Sequence, residues 1–154
     1  MGEVIFRPAR RDEVPAIVAM LADDGLGKGR EAVGEEIDAA YWRAFELMAD
    51  DPNNMQIVVE AGGEIVGTMQ LTFIASLSRR GGLRAQIEAV RVRSDQRGTG
   101  LGQRMFTWAI DQARERGCNL VQLTTDKRRS DAQRFYERLG FVASHEGMKL
   151  DLRD

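Results

Sequence analysis

The sequence predicts an α/β fold, because segments with helical periodicity and segments rich in β-forming residues both occur along it. Two segments of helical period follow a short opening strand, β-rich segments fill the middle, and helix and strand alternate towards the end. A length of 154 residues suits one domain with a sizeable core. No repeat, linker or low-complexity run interrupts the chain, so residues 1–154 are expected to form one domain.

Two helices are predicted after a short opening strand at residues 4–7. Asp12 is the expected N-cap of the first helix, and Pro15 falls in its first turn, where a missing N–H does little harm. A glycine-rich loop at residues 24–29 ends this helix, and a second helix is expected over residues 31–49. The apolar residues of the first helix recur at helical spacing: Val14, Ile17, Val18 and Leu21.

Strands are predicted in the middle of the chain. Residues 55–60 and 65–74 are rich in β-forming side chains, and the turn at residues 61–64 joins them as a hairpin. A loop at residues 76–83 leads to a third strand of this group, over residues 85–93. Three consecutive strands joined by short loops predict a meander.

Helix and strand alternate in the last third of the chain. An amphipathic helix is predicted from Leu101, a strand over residues 119–125 and a last helix over residues 131–139. Gly140 supplies a left-handed stop for that last helix. Residues 141–152 are expected to add one or two closing strands.

Composition narrows the class of protein. A formal net charge of −2 argues against general nucleic-acid binding, for which domains are usually basic. Cys118 is the single cysteine, which excludes an internal disulfide and suits a reducing compartment, and we interpret it as structural. Residues 1–10 are too short and polar for a signal peptide, and no apolar run approaches the roughly 18 residues of a membrane span. A soluble cytoplasmic protein is expected.

The glycine-rich run at residues 97–102 is the strongest chemical signal. Gly98, Gly100 and Gly102 allow bare backbone to approach a ligand, because no Cβ stands in the way. A helix that begins at about Leu101 directs its unpaired N–H groups and the positive end of its dipole at the same place. These residues predict a phosphate-binding loop.

Three interpretations of the loop compete on the residues alone. A nucleoside triphosphate loop needs a Lys followed by Ser or Thr, and none follows these glycines. A dinucleotide fingerprint needs a third glycine where Gln103 stands. A tight turn that binds nothing is the remaining alternative.

Two motifs instead resemble those of a known family. Arg97-x-x-Gly100-x-Gly102 resembles the Arg/Gln-x-x-Gly-x-Gly/Ala signature of the GNAT superfamily of N-acetyltransferases. The strand at residues 87–92 and the run Ala-Gln-Arg-Phe-Tyr-Glu-Arg-Leu-Gly-Phe at residues 132–141 are similar to the family's fourth strand and C-terminal segment. The resemblance covers nearly the whole chain and implies the GNAT fold, a mixed sheet of about six to seven strands flanked by about four helices.

Acetyl-coenzyme A is the cofactor that this resemblance implies. In the family, loop amides hold its pyrophosphate, and the fourth strand splays from the fifth so that backbone groups bind the pantetheine arm. The matching strand positions are Val90, Arg91 and Val92, where only the backbone is expected to take part. The matching loop positions are Arg97, Gly98, Thr99, Gly100, Leu101, Gly102 and Gln103.

Glu88 is the leading candidate for the general base that acetyl transfer to an amine requires. It interrupts an apolar strand, and alternation predicts that it shares a face with Val90 and Val92, where partial desolvation would raise its pKa. The alternative is a glutamate that only positions substrate or backbone. The resemblance implies that Tyr136 protonates the departing thiolate, although Tyr136 also fits the apolar stripe of its helix. A free strand amide, of Val90 or a neighbour, is the candidate oxyanion donor.

Two further residues leave their roles open. Arg129 stands where many relatives carry an Asn that contacts the cofactor, and it can bind a phosphate or belong to a solvated basic loop. His145 is the sole histidine, and an isolated histidine is more often structural or exposed than catalytic. No metal site is predicted.

The acceptor is expected to be a primary amine of a small molecule. The resemblance implies that the loops at residues 23–30, 76–84 and 142–149 select the acceptor, and the second of them carries Arg79, Arg80 and Arg84. The run from residue 123 to His145 is locally similar to aminoalkylphosphonate-type acetyltransferases, which favours an amine with an anionic group. Protein lysines or N-termini are alternative acceptors, and a non-catalytic acyl-coenzyme A sensing domain is the rival class. The chain is expected to bind neither nucleic acid nor membrane, and a homodimer is possible.

Overall fold

The computed structural model describes residues 2–23, 29–34 and 36–153. Contacts divide the chain into two compact units, Met1–Gln122 and Leu123–Asp154. The second unit contains α5 (Ser130–Arg138). The first unit contains, in chain order, β1 (Val4–Pro8), a 3-10 turn (Arg11–Glu13), α1 (Val14–Ala22), α2 (Ala39–Ala49), β2 (Asn54–Ala61), β3 (Glu64–Ala75), α3 (Ser78–Gly81), β4 (Leu83–Val92), a 3-10 turn (Ser94–Gln96), α4 (Leu101–Glu115) and β5 (Leu120–Gln122).

The strands form one mixed sheet, which confirms the predicted α/β class. They lie across the sheet in chain order, antiparallel from β1 to β4 and parallel between β4 and β5. The predicted hairpin joins β2 and β3 through a turn at Gly62 and Gly63. β3 and β4 are the longest pair, with register from Gly67↔Val92 to Ala75↔Leu83.

The number of strands is lower than predicted. The closing strands expected over residues 141–152 are absent from the described part of the chain, so the sheet has five strands rather than six to seven. A local hydrogen bond forms there instead. The Asp151 carboxylate accepts it from the backbone N–H of Arg153 at 2.9 Å. Such bonds compete with a strand ladder. The described helices number five rather than about four, and the additional one is the four-residue α3.

The second helix is shorter than predicted. It begins at Ala39 and not at residue 31, because the Asp38 side chain accepts a hydrogen bond from the backbone N–H of Ala40 at 2.8 Å and acts as the N-cap. Residues 24–28 of the predicted glycine-rich loop lie outside the described residues.

The start of the first helix also differs from the prediction. Asp12 is not the N-cap of α1, because a 3-10 turn (Arg11–Glu13) precedes that helix. The carboxylate of Glu13 accepts a hydrogen bond from the backbone N–H of Arg10 at 2.7 Å instead. Pro15 lies in the first turn of α1, as predicted.

α4 covers one face of the sheet with its apolar stripe. Phe6 of β1 stacks on Trp108 with ring centroids 5.2 Å apart, and a Cβ at Gly67 of β3 would lie only 3.1 Å from Met105 Sδ. The close approach of β3 and α4 fixes the helix, and the loop before it, against the sheet. The fully buried residues of α4 are Leu101, Met105, Phe106, Ala109 and Ala113.

α1 lies on the opposite face. Successive strand residues point to opposite sides of a sheet, so Arg7 points away from the face that Phe6 shares with α4. The side chain of Arg7 meets Glu13 immediately before α1. The buried residues of α1 are Val14, Ile17, Val18 and Met20.

A three-residue ion cluster joins β1, the start of α1 and β2. Arg7 donates to both carboxylate oxygens of Glu13, at 2.9 and 2.6 Å, and to Glu60 Oε1 at 2.9 Å. Glu13 is buried, with 8% of its surface exposed. The Arg7 guanidinium lowers the pKa of Glu13 from 4.5 to about 2, and the backbone N–H of Arg10 adds to this effect. Glu13 therefore stays ionised at neutral pH.

Cys118 follows the end of α4. Its backbone N–H donates to the carbonyl of Ala113 at 2.9 Å, and Gly117 before it has a φ of +79°. The thiol is half-buried, and burial raises its pKa. These contacts agree with the structural role expected for it.

We expect Arg7→Met to lower the free energy of unfolding by about 3 kcal/mol at neutral pH, because the buried Glu13 carboxylate loses its two-point guanidinium partner and keeps only the exposed Arg10, at 3.4 Å. The folded pKa of Glu13, about 2, lies below its ordinary value of 4.5. The stabilisation is therefore complete above this ordinary value and is lost as the pH falls through the folded one. Urea unfolding should show the difference between variant and wild type shrinking from about pH 5 towards about pH 2.

Arg114→Met provides the matched control. Arg114 forms an exposed ion pair with Asp111 at 3.5 Å, so its replacement should change the free energy of unfolding by less than about 1 kcal/mol. Equal losses in the two variants would contradict the role assigned to the Arg7 cluster.

Candidate functional site

The loop before α4 has the backbone conformation that its glycines predict. Gly98 and Gly100 have φ values of +78° and +86°, a region that residues with a Cβ seldom occupy. Gly100 is the N-cap of α4, and no described side chain accepts a hydrogen bond from the first turn there. A Cβ added at either glycine would meet no atom within 4 Å. The backbone of the loop therefore faces open space.

This geometry suits an anionic ligand. The unpaired N–H groups and the positive dipole end of a 15-residue helix meet at the loop. Leu101 is 1% exposed, so only its backbone can reach a ligand, whereas Gln103 is exposed. A cleft of about 350 Å³ adjoins the loop and includes Gly100, Gln103 and Arg104 in its lining.

Two side chains brace the loop. The hydroxyl of Thr99 donates to the carbonyl of Gln96 at 2.6 Å. Arg97 Nη2 donates to the carbonyl of Asp23, the C-cap of α1, at 2.9 Å, and Arg97 Nε donates to the carbonyl of Val92 at 3.3 Å. The Arg97 side chain thus links the loop to the end of α1 and to the end of β4.

A β-bulge in β4 changes the predicted faces. Gln70 pairs with Glu88 and Thr68 with Arg91, so one residue of β3 lies opposite two of β4. Ala89, one of those two, has a φ of +53°. The extra residue reverses the alternation, which places Val92 on the opposite face from Glu88. The prediction that Glu88 shares a face with Val90 and Val92 is therefore wrong.

β4 and β5 separate beside this bulge. Their parallel pairing covers only Arg84–Gln86 of β4, with Gln122 the last partner on β5. β4 continues to Val92, and the described residues give this part of it no β5 partner. The backbone of Val90, Arg91 and Val92 thus lies beyond the ladder, where a ligand arm can approach one edge of the strand.

Glu88 lies on the face of the sheet opposite α4. Its side chain is exposed, so the predicted desolvation is not found. Gln86 Nε2 donates to Glu88 Oε1 at 3.4 Å, and Gln70 is the cross-strand partner of Glu88. An exposed carboxylate with one long hydrogen bond can accept a proton from a group that arrives from solvent.

Tyr136 belongs to the second unit. It lies on α5 in an aromatic cluster, with ring centroids 5.6 Å from Phe135 and 6.1 Å from Phe141. Gly140 has a φ of +102° and ends α5 as predicted, and the backbone N–H of Phe141 donates to the carbonyl of Tyr136 at 3.1 Å. The half-buried Tyr136 is held firmly by this helix end.

Arg129 and His145 lie in the same unit. Arg129 is half-buried at the N-cap of α5, and its backbone N–H donates to the carbonyl of Asp126 at 2.9 Å. The Nδ1 atom of the exposed His145 is 2.7 Å from the hydroxyl of Ser144. Arg128 pairs with Asp126 at 2.7 Å, which holds the pKa of Asp126 well below its usual range.

Glu88 has two polar neighbours, Gln70 and Gln86, that the sequence did not single out. Arg84 and Gln86 precede it on the same face of β4, and Gln70 lies across from it on β3. The signal was present as polar residues at every second position of β4. Polar residues at alternate positions also fit any half-exposed strand, so this pattern alone does not indicate a site.

Neither a membrane-spanning helix nor a metal-binding cluster is found in the described part of the chain. No helix there is both long and apolar enough to cross a membrane. No group of three His, Cys, Asp or Glu side chains in those residues is placed to hold a metal ion.

Comparison with known proteins agrees with the loop geometry. Residues 21–141 match the acetyltransferase (GNAT) family. The chain is 30% identical to the aminoalkylphosphonate N-acetyltransferase of Salmonella typhimurium over 132 residues, 75% of this chain and 85% of that protein. It is also 30% identical to the glucosamine 6-phosphate N-acetyltransferase of Trypanosoma brucei brucei over 148 residues, 92% of this chain and 99% of that protein.

One solved structure is similar to this chain in both fold and sequence. The crystal structure of a transcriptional regulator from Bacillus halodurans C-125 has a TM-score of 0.94 and 49% identity, and the match covers 97% of this chain and 100% of that chain. The open glycine loop at the start of α4 and the separation of β4 from β5 fit acetyl-coenzyme A, the donor of this class of N-acetyltransferase. The sequence motifs, the loop geometry and the relatives together show that the chain belongs to the acetyltransferase (GNAT) family.

Proposed function

We propose that the protein transfers the acetyl group of acetyl-coenzyme A to the primary amine of a small molecule, by direct attack of the amine on the thioester. The observation that carries the proposal is the order of groups along residues 88–103. An exposed carboxylate, a strand edge beyond the β5 ladder and an anion-binding helix start follow one another there.

The loop and the free edge of β4 would hold the acetyl donor. Acetyl-coenzyme A supplies an acetyl group that is activated as a thioester. Backbone N–H groups from Gly98 to Gln103 bind its pyrophosphate, because their glycines leave the backbone open. Val90, Arg91 and Val92 offer backbone hydrogen bonds to the pantetheine arm. The N–H of Val90 or a neighbour donates to the thioester oxygen as negative charge builds on it.

Glu88 would act as the general base. A free amine has a pKa near 10.4 and is almost wholly protonated at neutral pH, so a base must remove a proton before attack. The exposed Glu88 can receive this proton directly or through one water. Gln86 holds the carboxylate through its 3.4 Å hydrogen bond.

Tyr136 would act as the general acid. Its phenol can protonate the departing thiolate of coenzyme A. A thiol with a pKa of about 8.5 is already a fair leaving group, so this proton assists the reaction without being indispensable. The packing of Tyr136 between Phe135 and Phe141 supports a fixed position for the hydroxyl.

The acceptor would carry an anionic group besides its amine. Two relatives are named for an aminoalkylphosphonate and for glucosamine 6-phosphate, and both compounds combine an amine with a phosphorus oxyacid. Arg79 and Arg80 lie exposed in α3, the four-residue turn between β3 and β4, where their φ values of +53° and +60° depart from a regular helix. Backbone strain of this kind is typical of functional loops. The arginines can meet the anionic group.

A non-catalytic acyl-coenzyme A sensor is the second candidate. The relative from Bacillus halodurans, 49% identical, is described as a transcriptional regulator. Release of free thiol from acetyl-coenzyme A across a panel of small amines, peptide N-termini and lysine peptides separates the candidates. Binding of acetyl-coenzyme A without turnover on any amine would favour the sensor.

We expect Gly100→Val to weaken acetyl-coenzyme A binding at least about tenfold. A β-branched residue cannot adopt the φ of +86° without strain, and its methyl groups would fill the space that the pyrophosphate needs. Isothermal titration calorimetry measures the dissociation constant. Gly117→Val is the control, because Gly117 has a similar φ of +79° at the other end of α4. Equal weakening by both variants would contradict a specific role for the loop.

We expect Glu88→Gln to lower kcat by about 100-fold, because general-base catalysis typically contributes on this scale. The loss should be found across the pH range, because a side-chain amide cannot take the proton from the amine. Steady-state thiol release from low to high pH measures it. Glu115→Gln, at the exposed end of α4, should leave the profile unchanged. An unchanged profile in Glu88→Gln would rule out this base.

We expect Tyr136→Phe to lower kcat by about tenfold while leaving the KM values nearly unchanged, because only the proton for the thiolate is lost. Tyr41→Phe is the matched control. The Tyr41 hydroxyl donates to Glu31 at 2.9 Å and accepts the backbone N–H of Ala32 at 2.9 Å, so its loss should affect stability. A fall of kcat in both variants alike would argue against Tyr136 as the acid.

A further inference from the structure

Uncharged polar side chains cover one face of the sheet beside Glu88. Register places Asn54, Thr72, Gln86 and Gln122 in one row across four strands, from β2 to β5. Gln70 lies in the neighbouring row, opposite Glu88. Cross-strand partners point to the same side of a sheet. We call the set formed by these five residues the amide face: Asn54, Gln70, Thr72, Gln86 and Gln122.

Hydrogen bonds hold these side chains in place but use only some of their donors and acceptors. Asn54 Oδ1 accepts from Gln70 Nε2 at 2.9 Å and from the Thr72 hydroxyl at 3.4 Å. Gln122 Nε2 donates to Gln86 Oε1 at 2.9 Å. A side-chain amide has two donor hydrogens and an oxygen that accepts twice. The bonds among the described residues therefore leave donors and acceptors for a ligand.

Packing does not explain the polarity of this face. On the other side of the same strands, the alternate residues Met69, Leu71 and Ile87 are apolar and at most 2% exposed. The members of the amide face are all half-buried. Half-buried amides lose hydration, and a sheet face that served only for packing would carry apolar residues. A surface that is sheltered, ordered and polar suits a ligand with hydroxyl groups.

Charges stand at the two ends of β4 along this face. Arg84, Gln86 and Glu88 alternate on the same side, so the Cα atoms of Arg84 and Glu88 lie about 13 Å apart. The half-buried Arg84 therefore offers a cation at one end, and Glu88 offers a carboxylate at the other. A ligand that matches this order has an amine, then neutral hydroxyl groups, then an anionic group.

We propose that the amide face binds the acceptor and selects a hydroxylated primary amine with an anionic group at its far end, of the amino sugar phosphate class. The inference rests on the proposed function, because it assumes that Glu88 receives the amine. Gln70 and Gln86 bind the hydroxyl groups, and Arg84 binds the anionic group.

Gln56 shows what a structural amide looks like on the same face. Its Nε2 donates to the hydroxyl of Thr68 at 2.8 Å, and that hydroxyl donates to the carbonyl of Ile57 at 2.8 Å. Thr68 is fully buried. The chain of bonds from Gln56 thus ends inside the protein, which makes Gln56→Leu a matched control for the other amides.

The test compares three acceptors and four variants. Thiol release from acetyl-coenzyme A is measured with glucosamine 6-phosphate, glucosamine and 3-aminopropylphosphonate. We expect kcat/KM to be highest for the first. Gln70→Leu should lower kcat/KM for both sugars by about tenfold and leave the phosphonate nearly unchanged, since a neutral hydrogen bond has this order of effect. Gln86→Leu should lower kcat/KM for all three acceptors, and more for the sugars, because it also removes the hydrogen bond to Glu88. Arg84→Met should affect only the two anionic acceptors, and Gln56→Leu none.

The outcomes separate the two proposals. Unchanged KM for acetyl-coenzyme A and unchanged melting temperatures would show that the variants fold and bind donor. Equal effects of Gln70→Leu on all three acceptors would overturn the amide face as a selective surface. Turnover with none of the acceptors would contradict the proposed function. Calorimetric titration of glucosamine 6-phosphate into wild type and Gln86→Leu then tests the surface separately, and equal affinities would overturn it.

Discussion

The β-bulge at Ala89 is the constraint on which the site depends. One extra residue reverses the alternation of β4, so that Glu88 stays on the face with the amides while Val92 turns to the face that α4 covers. Parallel pairing with β5 stops at Gln86, shortly before the bulge. The same strand therefore presents polar side chains to one side and backbone groups along its edge. An acceptor and a donor can reach it from different directions.

The core fixes the second half of this arrangement. Met105 packs close to Gly67, and Phe6 stacks on Trp108, so α4 has little freedom to shift along the sheet. The start of α4 is thus held at the end of the short connection from β4. Below the opposite face, Arg7 joins β1, β2 and the start of α1 through Glu13 and Glu60. Apolar packing on one face and the ion pairs of Arg7 on the other stabilise the sheet.

The sequence predicted the parts of the site that depend on local chemistry, and missed those that depend on pairing. Gly98 and Gly100 predicted the anion loop, because glycine is the residue type that adopts a positive φ readily. Alanine does not predict a positive φ, so the bulge at Ala89 is found only from the pairing of β3 with β4. The closing strands over residues 141–152 failed for a related reason, since alternation cannot tell whether a partner strand is available. The roles of Glu88 and Tyr136 stay predictions.

The half-buried Cys118 has a consequence for a protein that releases a thiol. Thiol–disulfide exchange requires a thiolate, and burial raises the pKa of this side chain, which disfavours the thiolate. Disulfides of coenzyme A therefore find a poor nucleophile here. The half-buried sulfhydryl group is therefore poorly suited to form a mixed disulfide with oxidised product.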